Sequence, residues 1–258
     1  DGYLMEKIFP ENNQRVIKQK GQEITVIIGN PPYSAKQKSE NDSNKNLKYE
    51  KLDQEIANTY VKYSTATLRN SLYGSEIRAI RWASDRIKDK GIVCYVINGN
   101  FIKKGFADGL RKCLVDEFTS IYCFDLKGDG RTSGEECRRE GHPLFAALGG
   151  KGGSLVPIAI ILLVKNPEKT GTCQVFYHDI GDYLKRIEKL SIIQSFGDIS
   201  AIQWEKITPN DSYDWINQRN DIFENFISLG DKKDKTSKTI FDVYSSGVKT
   251  NRDAWCYN

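Results

Sequence analysis

The sequence predicts an α/β fold, a mostly parallel sheet with helices packed on both faces. Three observations carry that expectation. Four short apolar runs, 24–28, 92–97, 120–126 and 157–164, have the composition and length of buried strands. Between them apolar residues recur at helical spacing, as in Ile77, Ile80, Ala83 and Ile87, or Ala107, Leu110, Leu114 and Phe118. The 258 residues, 39% hydrophobic and 28% charged, suffice for one good core and a smaller appendage.

The first strand, 24–28, runs through Gly29 into Asn30-Pro31-Pro32-Tyr33. Two consecutive prolines fix φ and forbid helix, so the chain turns rigidly there. The polar tract that follows, 36–48, holds no apolar residue before Leu47. It reads as a phosphate-contacting lid with Lys36, Lys38, Lys45 and Lys48 as candidates, or as a plain solvated loop. Helix is expected over about 53–88, broken near 70–74 by Asn, Ser and Gly, with Gly91 in the place of a C-terminal cap.

The second strand, 92–97, ends at Asn98-Gly99-Asn100-Phe101. Ligands of open α/β sheets collect beyond the carboxyl ends of the strands, which makes Asn98, Asn100 and Phe101 cleft candidates. A turn also needs Asn and Gly for conformational reasons alone. Behind the third strand, Gly128-Asp129-Gly130-Arg131-Thr132-Ser133-Gly134 looks like a nucleotide-binding glycine loop. Its glycines are out of register, and the charged run 135–140 offers no apolar helix face, so a flexible loop is expected. The stretch 149–154 likewise lacks P-loop spacing and reads as a hairpin tip ahead of the fourth strand.

Further on, 173–178 reads as an edge strand and 182–193 as a helix capped by Asp182. Near Ala201 the composition shifts to Asp, Asn, Lys and scattered aromatics, which predicts a boundary between a core, 1–200, and a second region, 201–258.

Composition excludes several classes. A net charge of +4, from 38 basic and 34 acidic residues, is too slight to argue for nucleic acid by itself. The six cysteines form no C-x-x-C pair and read as reduced thiols; Cys137 and His142 make only two ligands, so no metal is expected. The longest apolar run, 158–164, is far below the roughly 20 residues that span a bilayer. With no signal peptide in view, a cytoplasmic location is expected and no membrane partner.

The Asn30–Tyr33 turn carries the chemistry. Chance yields such a tetrapeptide in roughly one unrelated chain of this length in a thousand. Its bland reading is a proline-rich docking turn. In the sharper reading, the Asn30 side-chain carbonyl and the Pro31 backbone carbonyl accept hydrogen bonds from an exocyclic amine and draw its lone pair out of conjugation. Tyr33 offers a ring for stacking, worth about 1 to 3 kcal/mol per base, comparable with the few kcal/mol needed to extrude a base from its duplex.

Asn30-Pro31-Pro32-Tyr33 behind a buried strand resembles the catalytic motif of amino-directed, adenine-N6 DNA methyltransferases. With 29–34, 46–49, 75–86, 124–135, 157–167 and 247–255, the chain resembles over nearly all its length the methyltransferase part of Type ISP restriction-modification enzymes. That resemblance implies a Rossmann-like methyltransferase core dependent on S-adenosylmethionine. It implies Asn30, Pro31, Pro32 and Tyr33 as catalytic residues and double-stranded DNA as partner. It also implies a parent polypeptide that continues into helicase, nuclease and target-recognition segments. The stretch 128–134 then joins the last two sheet strands, and an aromatic near it packs on the flipped base, with Phe145 the candidate and local packing under a hairpin its alternative. Region 204–258 leads toward target recognition; Lys249, Asn251 and Arg252 are DNA candidates there, or part of an unsupported tail.

The family's methyl donor rests on a glycine-rich turn after the first sheet strand, and the stretch from Asp1 to Glu23 contains no such turn. The core is thus expected to be incomplete on its N-terminal, cofactor-binding side. Most of the donor-binding residues are expected upstream of Asp1, and the segment alone is expected to be inactive. Two other readings stay open: a non-catalytic DNA-binding or interaction module on the same fold, and a methyltransferase acting on protein glutamine or RNA.

Overall fold

Each apolar run forms a strand. In the computed structural model, which describes residues 10–33, 49–145, 154–220, 222, 225–231, 234 and 236–241, six strands build one sheet. They are β1 (Val26–Gly29), β2 (Gly91–Asn98), β3 (Ser120–Asp125), β4 (Ile158–Lys165), β5 (Gln174–Asp179) and β6 (Glu205–Ile207), in the order β1-β2-β4-β3-β5-β6. β1, β2, β3 and β5 point one way, so their carboxyl ends gather at one side of the sheet.

The expectation of a mostly parallel sheet needs correction in its ladders. β1–β2 and β3–β5 are parallel pairs, but β4 enters antiparallel between β2 and β3, and β6 is antiparallel to β5. A parallel return needs a substantial crossover, and the β3–β4 connection carries only a seven-residue helix, Gly134–Glu140. That stretch does not join the last two strands either, since β5 and β6 follow. Nor is the strand at 173–178 an edge: β6 covers it.

The helices are α1 (Pro10–Gly21), α2 (Glu50–Ile56) running on into a π turn (Ala57–Val61), α3 (Ser75–Arg86), α4 (Asn100–Lys103), α5 (Asp108–Glu117), α6 (Gly134–Glu140) and α7 (Arg186–Phe196). A 3-10 turn, Asn70–Tyr73, interrupts the second helical region where Asn, Ser and Gly had marked a break. The expected stripes are the core: Ile77, Ile80, Ala83, Leu110 and Leu114 pack against Val93, Ile97, Ile121, Ile161 and Leu163, all buried. At roughly 1.5–3 kcal/mol for each large side chain, this face dominates the stability.

On the other face Phe124, Leu126 and Ile158 lie under Ile192, Ile193 and Phe196 of α7 and under Trp204. Among the described residues that cover stops short of β1, whose Val26 and Ile28 are 53% and 76% exposed. The prediction of helices on both faces is therefore corrected at the β1 side, where an apolar strand shows one of its faces to solvent.

Three local expectations also change. Gly91 is the first residue of β2 and not a helix cap; α3 ends at Ile87, whose N–H reaches the Ala83 carbonyl at 2.9 Å. The stretch expected to be a flexible loop contains α6, with no buried residue but with Glu140 at its end tied back to Gly128 and Asp129. Asp182 caps no helix: it binds Lys127, and α7 starts four residues later, its entry held by the Lys185 N–H on Glu188 at 2.6 Å.

The first compact unit runs through Gln218, past the composition shift at Ala201. β6 belongs to the sheet, and Arg111 of α5 meets Asp214 at 2.8 Å with both side chains sealed from solvent. The second unit, Arg219–Asn258, is described in part and holds one bridge, Ser228 with Thr239. No helix among the described residues is long and apolar enough to cross a membrane.

Candidate functional site

Because β1, β2, β3 and β5 share a direction, Asn30, Asn98, Asp125 and Asp179 stand at the same end of the sheet. Asn30 and Pro32 are exposed and Pro31 and Tyr33 half-buried, so the proline turn stays open to an incoming group. The Tyr33 hydroxyl donates its hydrogen to Asn30 Oδ1, with the Val96 carbonyl of β2 sharing it at 3.2 Å. Burial first, and the charge of Glu76 second, push the Tyr33 phenol up to about 12, so it remains a donor at neutral pH. Its bond fixes the rotation of the Asn30 amide and leaves the second lone pair of that oxygen for another donor.

Tyr33 faces Phe145 with ring centroids 6.3 Å apart and planes 25° from parallel. That separation lies within the range of an offset contact between two aromatic rings. Phe145 is 42% exposed, which leaves it free of the core packing that would hold it in place.

Tyr33, Asn98 and Asn100 line one cleft of 590 Å³, as their positions at the strand ends predict. Phe101 does not join them. It is 1% exposed and meets the Trp215 ring edge-on at 6.2 Å, because the first turn of α4 points it into the core. Lys36, Lys38, Lys45 and Lys48 lie outside the described residues, as do Lys249, Asn251 and Arg252 and most of the 149–154 stretch. Asp1, the point before which the donor-binding residues are expected, also lies outside them.

The cleft also takes in residues that sequence reasoning passed over: Glu76, Lys104, Phe106, Asp129, Arg131 and Thr132. For the 129–132 segment a signal was present, since it follows the carboxyl end of β3 just as Asn98 ends β2. Glu76 gave none, because an acid in the first turn of a helix is ordinary. Asp129 holds Arg131 through Oδ1 at 2.8 Å, which keeps a guanidinium at the rim.

An adjoining cavity of 630 Å³ shares Asn100, Lys104, Asp129 and Thr132 with the cleft. Its walls carry an ionic network. Lys103 meets Asp125 at 2.6 Å, Tyr177 donates to Asp125 at 3.0 Å, and Lys127 meets Asp179 at 2.8 Å. Such a network stiffens the carboxyl ends of β3 and β5. The glycine loop beside it has little left to bind an anion with, for the N–H groups of Gly128 and Asp129 already donate to Glu140 Oε2 at 2.9 and 3.3 Å.

Residues 4–130 match the Eco57I restriction-modification methylase family. Over 96% of its length the chain is 45% identical, with a TM-score of 0.82, to a nuclease-deletion mutant of the Type ISP restriction-modification enzyme LlaGI in complex with a DNA substrate mimic. It is 40% identical over 95%, TM-score 0.83, to the ATP-dependent Type ISP enzyme LlaBIII bound to DNA, and 37% identical over 95%, TM-score 0.81, to DrdV in a DNA complex. The chain spans 23%, 16% and 24% of those proteins. No curated protein matches the sequence.

Fold and matches together mark the chain as a segment of the restriction-modification methylase class, with a Rossmann-like core. Within that class the chain belongs to the methyltransferase part of the Type ISP restriction-modification enzymes.

Proposed function

We propose that this chain is the base-holding half of a DNA adenine-N6 methyltransferase within a longer restriction-modification polypeptide. The observation that carries the reading is the aromatic pair: Tyr33 and Phe145 face each other at 6.3 Å beside an open amide oxygen. Extruded adenine parts the two rings and stacks between them, and its amine donates to Asn30 Oδ1 and to the Pro31 carbonyl. Those two bonds pull the nitrogen lone pair out of conjugation without removing a proton first. Pro32 keeps the turn rigid. Lys104 and Arg131 at the cleft rim, with Lys36, Lys38, Lys45 and Lys48, neutralise phosphates of double-stranded DNA.

The methyl donor that a methylase of this family implies is S-adenosylmethionine, which supplies an electrophilic methyl group. The described glycine loop does not fit it, since Glu140 occupies the amides that would cradle its charged end. The exposed apolar face of β1 supports the same division of labour, with the donor-binding half of the core contributed by other parent sequence. In this reading helicase, nuclease and target-recognition segments complete the parent.

Asn30→Ala in the intact parent tests the assignment. Methylation of adenine in plasmid DNA, read by single-molecule sequencing, should fall on the order of a hundredfold or more while DNA affinity stays within a few-fold. Undiminished methylation would remove Asn30 from the chemistry. A parent that binds DNA but modifies no base would point to the non-catalytic module, and a product found on RNA or on protein glutamine to the other substrate classes.

A further inference from the structure

Asn98 is held by both ends of its amide. Its Oδ1 accepts the Asn100 backbone N–H at 3.1 Å and the Asn100 side-chain amide at 2.8 Å. A backbone N–H can only donate, so the oxygen must face Asn100 and the nitrogen must face the other way. There Nδ2 donates one hydrogen to Glu76 Oε1 at 3.5 Å. Its second hydrogen has no protein acceptor among the described residues, and Asn98 lines the same cleft as Tyr33.

Glu76 is unusual in its own right. It is 8% exposed, its Oε2 has no hydrogen-bond partner among the described residues, and a Cβ at Gly74 would stand 2.8 Å from that oxygen. A first-turn glutamate normally reaches out to water. This one is turned inward under a residue with no side chain, and among the described residues the side-chain donor it meets is Asn98.

We propose that Asn98 reads a ring nitrogen of the extruded base, donating its second amide hydrogen to it, with Glu76 as the positioning residue that aims the amide. The inference rests on the function proposed above. Beside the amine, the adenine edge offers only acceptors, N1 on one side and N7 on the other, with N3 across the ring. A neutral amide donor suits such an edge, whereas a bare carboxylate would repel it, and this explains why the acid stands behind the amide instead of at the cleft surface. The pairing also makes geometric sense along the sheet. Val96, two residues before Asn98 on β2, accepts the Tyr33 hydroxyl, so the amide and the stacking ring are anchored to one strand.

The test uses the intact parent and its own modification-site duplex, with 1-deaza-, 3-deaza- or 7-deazaadenine in place of the target adenine. Equilibrium affinity and methylation rate are both read. Wild type should lose about tenfold, the scale of one neutral hydrogen bond, with one of the three analogues and not with the others. Asn98→Ala should show no preference among adenine and that analogue. Glu76→Gln, which keeps an acceptor behind the amide, should preserve the preference, and Glu76→Ala should weaken it.

Equal treatment of all three analogues by wild type would overturn the proposal without recourse to any variant, so a misfolded variant cannot mask the answer. Retention of the wild-type preference by Asn98→Ala would overturn it too. A parent that methylates adenine but ignores the analogues defeats the Asn98 inference alone, and one that never methylates adenine defeats the function reading.

Discussion

Lys189 is fully buried, and its amine donates to two carbonyl oxygens, of Leu126 and Glu140, each at 2.8 Å. A neutral amine has two N–H groups for these two acceptors. Burial brings the ammonium down from 10.5 to about 8 against the opposing pull of Glu140 and Asp125. The unfolded chain then holds this proton more tightly, so folding gains stability as pH rises from about 8 toward 10.5 and loses it as pH falls back through 8. The full effect is worth about 3 kcal/mol. Urea unfolding at about pH 7.5 and about pH 10 should therefore show wild type gaining on Lys189→Met at the higher pH; parallel changes in both proteins would rule this out. Residues such as Lys189 and Glu76 were not legible in the sequence. A charged side chain announces a solvated surface unless its partners are known, and these partners lie far along the chain.

At the scale of elements, β1 and β2 depend on one glycine. Gly91 opens β2 at φ +154°, and a Cβ there would collide with the Thr25 carbonyl, which accepts the Ile92 N–H at 2.8 Å. Gly91→Ala should cost about 2 kcal/mol or more through strain and a displaced β1, by chemical denaturation. Gly21→Ala, whose Cβ meets nothing within 4 Å, is the control and should change stability far less. The positions of β1 to β5 were legible because apolar runs bury on their own chemistry, and those of Ile80 and Leu114 from helical spacing; β6 was not, since Glu205-Lys206-Ile207 is no apolar run. α6 was not, since its Glu135–Arg138 pair and the reach of Glu140 to the loop amides replace the apolar face that helix prediction relies on. The antiparallel entry of β4 was equally hidden, because an Ile- and Leu-rich run fits a central strand in either direction.

At the scale of the molecule, the chain carries the turn, the Tyr33–Phe145 ring pair and an ion network at the ends of β3 and β5. If the donor-binding half is contributed elsewhere in the parent, calorimetric titration of these 258 residues alone with S-adenosylmethionine should give no one-to-one binding in the micromolar range. Binding of that strength would return the donor site to this chain. The sequence by itself determined the positions of β1 to β5, the helix stripes and the identity of the turn, because proline geometry and apolar periodicity are local properties. It also brought Asn98 and Asn100 to the cleft through the rule of strand ends. Only the tertiary structure decided that Tyr33 fixes the Asn30 amide, that Phe145 faces Tyr33, that Phe101 turns to the core and that Glu76 stands behind Asn98. Each of these depends on which strands become neighbours, and that choice is made by packing across the whole sheet.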